Sequence, residues 1–210
     1  MIEVEKKFIL DEDIKNKIIS GAEFLHKKTF TDTYYDDVEF SLTSKDMWLR
    51  CRDNKFELKI PASISDESSI NQYRELNDNS EIADFLHLSK NDDLGKEFNN
   101  RGFKPFCALT TTREKYKRGL FSIDIDIVSA EDFDYSIAEV ELEVEKDADM
   151  ENALNKIRLF MSENGISEST IRGKVIEYLR LKNPIHYEIL LSAGVIKETE
   201  PKLPMKFSCR

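Results

Sequence analysis

Charged and apolar side chains alternate in strand after strand of this chain, and several of the charged faces carry a single sign. The pattern starts at Glu3-Val4-Glu5-Lys6-Lys7. A β-strand turns successive side chains to opposite faces. Glu3, Glu5 and Lys7 therefore share one face, and Ile2, Val4 and Phe8 share the other. Further on, Trp48, Arg50 and Arg52 lie opposite Met47, Leu49 and Cys51. Glu57 and Lys59 oppose Phe56, Leu58 and Ile60, while Tyr73 and Glu75 face away from Ile70 and Leu76. Arg113, Lys115 and Lys117 align. Asp124 and Asp126 oppose Ile123, Ile125 and Ile127, and Glu139, Glu141, Glu143 and Glu145 oppose Ala138, Val140, Leu142 and Val144.

Taken singly, such a strand reads as one side of a sheet turned to water. Taken together, the strands do not read that way. Carboxylates repeated at period two, next to a strand with two more, repel one another unless a cation lies between them. The cationic strands have the mirror-image difficulty. One enclosed site with an acidic wall and a basic wall resolves both. Oxygen-only donors of this kind suit Mg²⁺, with Mn²⁺ as an alternative, and not zinc or copper. Arginine and lysine around one anion suit a polyphosphate, and no glycine-rich phosphate loop is present to do the same work.

Strand-like alternation spans roughly residues 2–9, 23–36, 46–53, 55–61, 69–77, 103–117, 119–128 and 135–146. Amphipathic helices fit Asp11 to Ser20, Ile82 to Ser89 with Ser80 as N-cap, and Asp93 to Asn100. Three more follow the last strand: Met150 to Asn164, ending at Gly165, then Lys174 to Leu181 and Ile185 to Ser192. The expected fold is α+β: an eight-stranded antiparallel β-meander closed into a barrel, with a charged lumen and helices packed on the outside. An eight-stranded barrel has room for one small ligand.

Composition narrows the setting. A net charge of −10 argues against nucleic acid as partner. No apolar run reaches the length of a membrane span. Cys51, Cys107 and Cys209 have no ligand-like spacing and read as unpaired thiols of a reducing compartment. His26, His87 and His186 lie far apart without cysteine partners, which makes zinc a poor expectation. The expectation is a cytoplasmic protein, a monomer, that takes a small polyphosphate and binds neither nucleic acid nor membrane.

Glu3-Val4-Glu5-Lys6-Lys7 resembles the E-x-E-x-K signature of the CYTH superfamily, the triphosphate tunnel metalloenzymes. The ordered series behind it is more specific: Asp32-Thr33-Tyr34-Tyr35-Asp36, Trp48-Leu49-Arg50-Cys51-Arg52, Glu57-Leu58-Lys59, Asp124-Ile125-Asp126 and Glu139-Val140-Glu141. Within the superfamily this order is most similar to the animal thiamine-triphosphatase branch, and it runs from Ile2 to about Tyr187. The resemblance implies a single tunnel domain over 1–196 and a flexible tail over 197–210. It implies Glu3, Glu5, Asp124, Glu139 and Glu141 as ligands of Mg²⁺. Lys7, Arg50, Arg52, Arg113 and Lys174 would grip phosphate, Trp48 would pack on a thiazolium ring, and Tyr34 with Lys59 would activate water. Lys115 and Lys117 are expected on the outer rim, and Glu143 and Glu145 in solvent. The implied activity is Mg²⁺-dependent hydrolysis of thiamine triphosphate. Alternatives are an inorganic tripolyphosphatase, a barrel that binds polyphosphate without catalysis, and a nucleotide cyclase of the same superfamily.

Overall fold

A computed structural model describes residues 1–62, 71–89, 93–167 and 171–198. Eight strands carry the alternation: β1 (Ile2–Phe8), β2 (Glu23–Asp36), β3 (Trp48–Arg52), β4 (Lys55–Pro61), β5 (Asn71–Leu76), β6 (Lys104–Arg118), β7 (Phe121–Ala130) and β8 (Phe133–Val144). Between and after them run α1 (Glu12–Ile19), α2 (Asn79–Phe85), α3 (Leu94–Asn100), α4 (Met150–Glu163), α5 (Lys174–Lys182) and α6 (Pro184–Ser192). The expected strand at 69–77 loses residues 69 and 70, and the expected tail residues 199–210, to the part outside the described residues.

The strands form one closed antiparallel barrel in the order β1-β5-β4-β3-β2-β6-β7-β8. This differs from a plain meander, in which β1 would lie beside β2. Instead β1 pairs with β5 on one edge and β8 on the other, with Lys7 opposite Glu139 and Glu5 opposite Glu141. The first strand thus closes the sheet, and α1 carries the chain over the outside before β2 begins. A closed barrel has no free edge, so every strand face is either lumen or outer wall.

The apolar faces point outward, and the cores lie between barrel and helices. Ile2, Val4, Ile123, Val140 and Leu142 pack with Ile18 of α1 and Leu154, Ile157 and Met161 of α4. Leu49 and Leu58 pack against Ile82 and Ala83 of α2 and Leu94 and Phe98 of α3. Leu109, Val128 and Ile137 pack under Val175 and Leu179 of α5 and Leu190 of α6. Placing the hydrophobic contact outside leaves the interior free for polar work. Among the described residues no helix is long and apolar enough to cross a membrane.

Local signals set the helix ends. Gly165 stops α4 in a left-handed conformation (φ 73°), with the Ile166 N–H donating to the Met161 carbonyl. The expected Ser80 cap is corrected: the cap of α2 is Asp78, whose carboxylate accepts from the N–H groups of Ser80 and Glu81. An aspartate just ahead of the first turn outcompetes a serine already inside it.

One buried chain ties α6 to the β2–β3 connection. Thr43 Oγ1 donates to Asp36 Oδ2 (2.6 Å) and bonds His186 Nε2 (2.8 Å). The His186 ring stacks on Phe40, 4.1 Å between centroids. Burial pushes His186 down to about 4. The folded protein therefore keeps this ring neutral where the unfolded chain would protonate it. Stability from this site is full above the unfolded value near 6.5 and is lost as pH falls towards 4. Between pH 6.5 and 4 the native protein should lose more Tm than His186→Phe loses over the same interval, as read by thermal unfolding.

Candidate active site

The barrel interior holds a cavity of about 520 Å³, within the range of small-ligand sites. Its wall includes Glu3, Glu5, Lys7, Tyr34, Trp48, Arg50, Arg52, Lys59, Arg113, Glu139, Glu141 and Lys174. These are twelve of the thirteen residues singled out above. The thirteenth, Asp124, is buried behind them and bonded to Arg113. Strand parity is the reason: each lies on the lumen face of its strand. The exception is Lys174, which starts α5. Gly173, its N-cap, offers no side-chain cap to the first N–H groups of that helix, and both residues line the cavity.

The interior charges are paired with one another. On the β1–β8–β7 side Lys7 bonds Glu5 and lies 3.6 Å from Glu139. Arg113 makes a two-pronged contact with Asp126 (2.6 and 2.6 Å) and reaches Asp124 (2.5 Å). On the β3–β4–β5 side Arg50 bonds Glu57 (2.5 Å) and Glu75 (3.4 Å), and Lys59 bonds Glu3 (2.5 Å) and Glu75 (3.0 Å). Arg52 forks onto Asp32 (2.6 and 2.9 Å) above the ring of Phe30, 3.9 Å from its centroid. Lys174 bridges the two sides, 3.5 Å from Asp32 and 3.4 Å from Asp126.

Several partners were not in the expected set. Asp32 and Asp126 are both fully buried and orient three of the cations. Their signal was parity, with Tyr34 and with Asp124. Lys115 is corrected from rim to lumen: it lies opposite Asp124 in the β6–β7 register and contacts Asp124 and Glu141 at 3.1 Å each. Its parity with Arg113 carried that information. Asp46, Glu57 and Glu75 also line the wall. Glu143 and Glu145 are exposed, as expected, although Glu143 sits at the cavity edge.

Burial and charge divide the acids into two groups. Burial pushes Glu139 up, but Lys7 and Arg113 outweigh it and hold it down to about 2. Asp32 is likewise held low by Arg52 against burial. In contrast, burial together with the neighbouring Glu75 and Glu5 pushes Glu3 up to about 7, against the pull of Lys59. Asp124 and Glu141 are also raised by burial. Among the described residues no three such side chains gather closely enough to hold a metal ion, and the carboxylates are paired with lysines and arginines. The donor set still fits a hard divalent cation. Every donor is a carboxylate, and Glu5 lies opposite Glu141 and Asp124 opposite Glu139.

Tyr34 and Lys59 have different surroundings. Lys59 is held by Glu3 and Glu75. The Tyr34 phenol is buried beside Asp32, and both effects push it above its ordinary value in spite of Arg50. A phenol so held is a hydrogen-bond donor and a poor base.

If Glu3 holds a proton near neutrality, a divalent cation must displace it on binding. Calorimetry of Mg²⁺ binding at pH 6.5, in buffers of different ionisation enthalpy, should show proton release. Glu3→Gln should reduce that release; equal release from the variant would contradict the assignment to Glu3.

Comparison with known proteins places these features in context. The CYTH domain family matches residues 1–173. Thiamine-triphosphatase of Macaca fascicularis is 31% identical over 214 residues, covering 94% of this chain and 93% of the relative. Thiamine-triphosphatase of Homo sapiens matches with the same identity and coverage. Among solved structures, a protein of Pyrococcus horikoshii OT3 superposes with a TM-score of 0.61 at 23% identity, over 86% of this chain and 99% of that one. The structural likeness concerns the fold.

Proposed function

The chain belongs to the CYTH family, and on that premise we propose that this enzyme is a Mg²⁺-dependent triphosphatase that converts thiamine triphosphate to thiamine diphosphate and orthophosphate. The observation that carries the substrate reading is the position of Trp48. It is the only tryptophan, it is 8% exposed, and it lines the same cavity as the phosphate-seeking cations. A cationic ring over an indole face gains roughly 0.5–2 kcal/mol. The two thiamine-triphosphatases at 31% identity support the same choice.

In this reading Arg50, Arg52, Arg113 and Lys174 take the phosphate oxygens, and Lys7 and Lys59 complete the grip. Asp32 and Asp126 hold Arg52, Arg113 and Lys174 in place before substrate arrives, so little reorganisation is left for the transition state. Glu3, Glu5, Asp124, Glu139 and Glu141 would hold Mg²⁺, or Mn²⁺ in its place. When bound, such an ion neutralises phosphate charge and polarises the phosphorus–oxygen bonds. Tyr34 would donate a hydrogen bond to a phosphate oxygen or to the attacking water. Its raised phenol argues against the base role expected for it. The free thiols of Cys51 and Cys107 support a reducing, cytoplasmic setting.

The second reading is inorganic tripolyphosphatase, because every phosphate-gripping residue serves both substrates and Trp48 alone favours the ester. Orthophosphate release from both compounds separates them. Arg50→Ala should lower turnover at least tenfold on either, since it removes charge stabilisation of the transition state, where the loss of one oxyanion donor costs roughly 10²–10³-fold. Trp48→Ala should lose its preference for thiamine triphosphate and keep tripolyphosphate hydrolysis. An unchanged preference would remove the thiamine assignment.

A further inference from the structure

We infer that Asp46 is a specificity-determining residue of this site, whose carboxylate receives the cationic ring of the substrate beside Trp48. The inference rests on the thiamine triphosphate reading above.

Asp46 heads the alternation expected over 46–53, with the parity of Trp48, Arg50 and Arg52, but the strand itself begins only at Trp48. Asp46 is half-buried and lines the cavity. Its Oδ1 accepts hydrogen bonds from Trp48 Nε1 (2.8 Å) and from the Tyr73 hydroxyl (2.8 Å). Two nearly buried aromatic residues thus fix the carboxylate through a single oxygen.

The other half-buried or buried acids of the cavity wall are held by ion pairs. Glu3 has Lys59, Glu57 has Arg50, and Glu141 has Lys115. Among the described residues Asp46 has no lysine or arginine within ion-pair distance. Both of its fixed partners are neutral, and among the described residues only the more distant Lys7 offsets its charge. Burial raises its proton affinity accordingly, moderated by Trp48, Tyr73 and the more distant Lys7. A carboxylate in that state attracts a cation.

Its side chain is also not needed to hold the turn. The Asp46 N–H donates to the Thr43 carbonyl (3.0 Å) and the Met47 N–H to the Leu42 carbonyl (3.1 Å). The residue is left-handed (φ 60°), a conformation that asparagine adopts readily. Why the position carries a charge is therefore a question about the cavity. An anion beside the indole that faces a thiazolium adds to the attraction of the ring, and it repels a bare polyphosphate end. Arginines grip one end of the substrate, and Asp46 selects what is attached to the other.

The test is phosphate release from thiamine triphosphate, ATP and tripolyphosphate by native protein and by Asp46→Asn, which keeps an acceptor oxygen and removes the charge. For thiamine triphosphate, kcat/KM should fall about tenfold, the scale of one half-buried charge contact. For ATP and tripolyphosphate the change should stay below about threefold, as for a charge not in contact. Quenching of Trp48 fluorescence by free thiamine should weaken in parallel, while uncharged deazathiamine should bind both proteins alike. Asp46→Gly, also suited to a left-handed residue, repeats the test should the asparagine variant not fold. An equal loss on all three substrates, or no loss, overturns the inference. If native protein prefers thiamine triphosphate and Asp46→Asn keeps that preference, Asp46 alone is excluded. If native protein shows no such preference, the substrate reading itself fails and Asp46 falls with it.

Discussion

Most ionised side chains enclosed in a barrel must find an opposite charge, because an unpaired buried charge is costly. The interior meets this condition with chains of ion pairs: Asp32 with Arg52 and Lys174, Asp126 with Lys174 and Arg113, Arg113 with Asp124, and Asp124 with Lys115. The pairing also makes the interior exchangeable. In the function proposed above, a polyphosphate would take over the lysines and arginines while a divalent cation takes over the carboxylates. Either ligand alone would strip one set of charges of its partners and leave the other set bare.

The hydrophobic contacts lie outside the barrel, where α1 and α4, α2 and α3, and α5 and α6 cover three separate parts of the wall. The strands are held from behind, and the lumen side chains need not pack apolar surface. This is how a chain with 34% charged residues can form a stable interior site. The start of α5 adds Gly173 and Lys174 to the cavity, so the tunnel is completed by a helix end that the strands do not supply.

The period-two alternation made most of this legible. Strand limits, lumen faces and the closed eight-stranded barrel follow from it, since parity decides facing once a sheet closes. It could not place β1 between β5 and β8, because edge partners depend on long-range pairing and not on local pattern. It showed Arg113 and Lys115 on one face, but how far that face stays inside the lumen depends on the length of the β2–β6 ribbon. It could not show that Lys59 belongs to Glu3 and Glu75 while Tyr34 belongs to Asp32 and Arg50; side-chain reach settles that. Asp46 shares the parity of Trp48, but its role was not legible from that, because it comes from the two aromatic donors that bond its carboxylate.

The exchange of internal ion pairs for ligand is tested most directly by titration calorimetry with a non-hydrolysable triphosphate analogue, with and without Mg²⁺. Each ligand should tighten the other's binding by at least about tenfold, a coupling within the usual range for linked sites. Independent binding of the two, with affinities unchanged by each other's presence, would contradict a lumen whose basic and acidic walls give up their partners together.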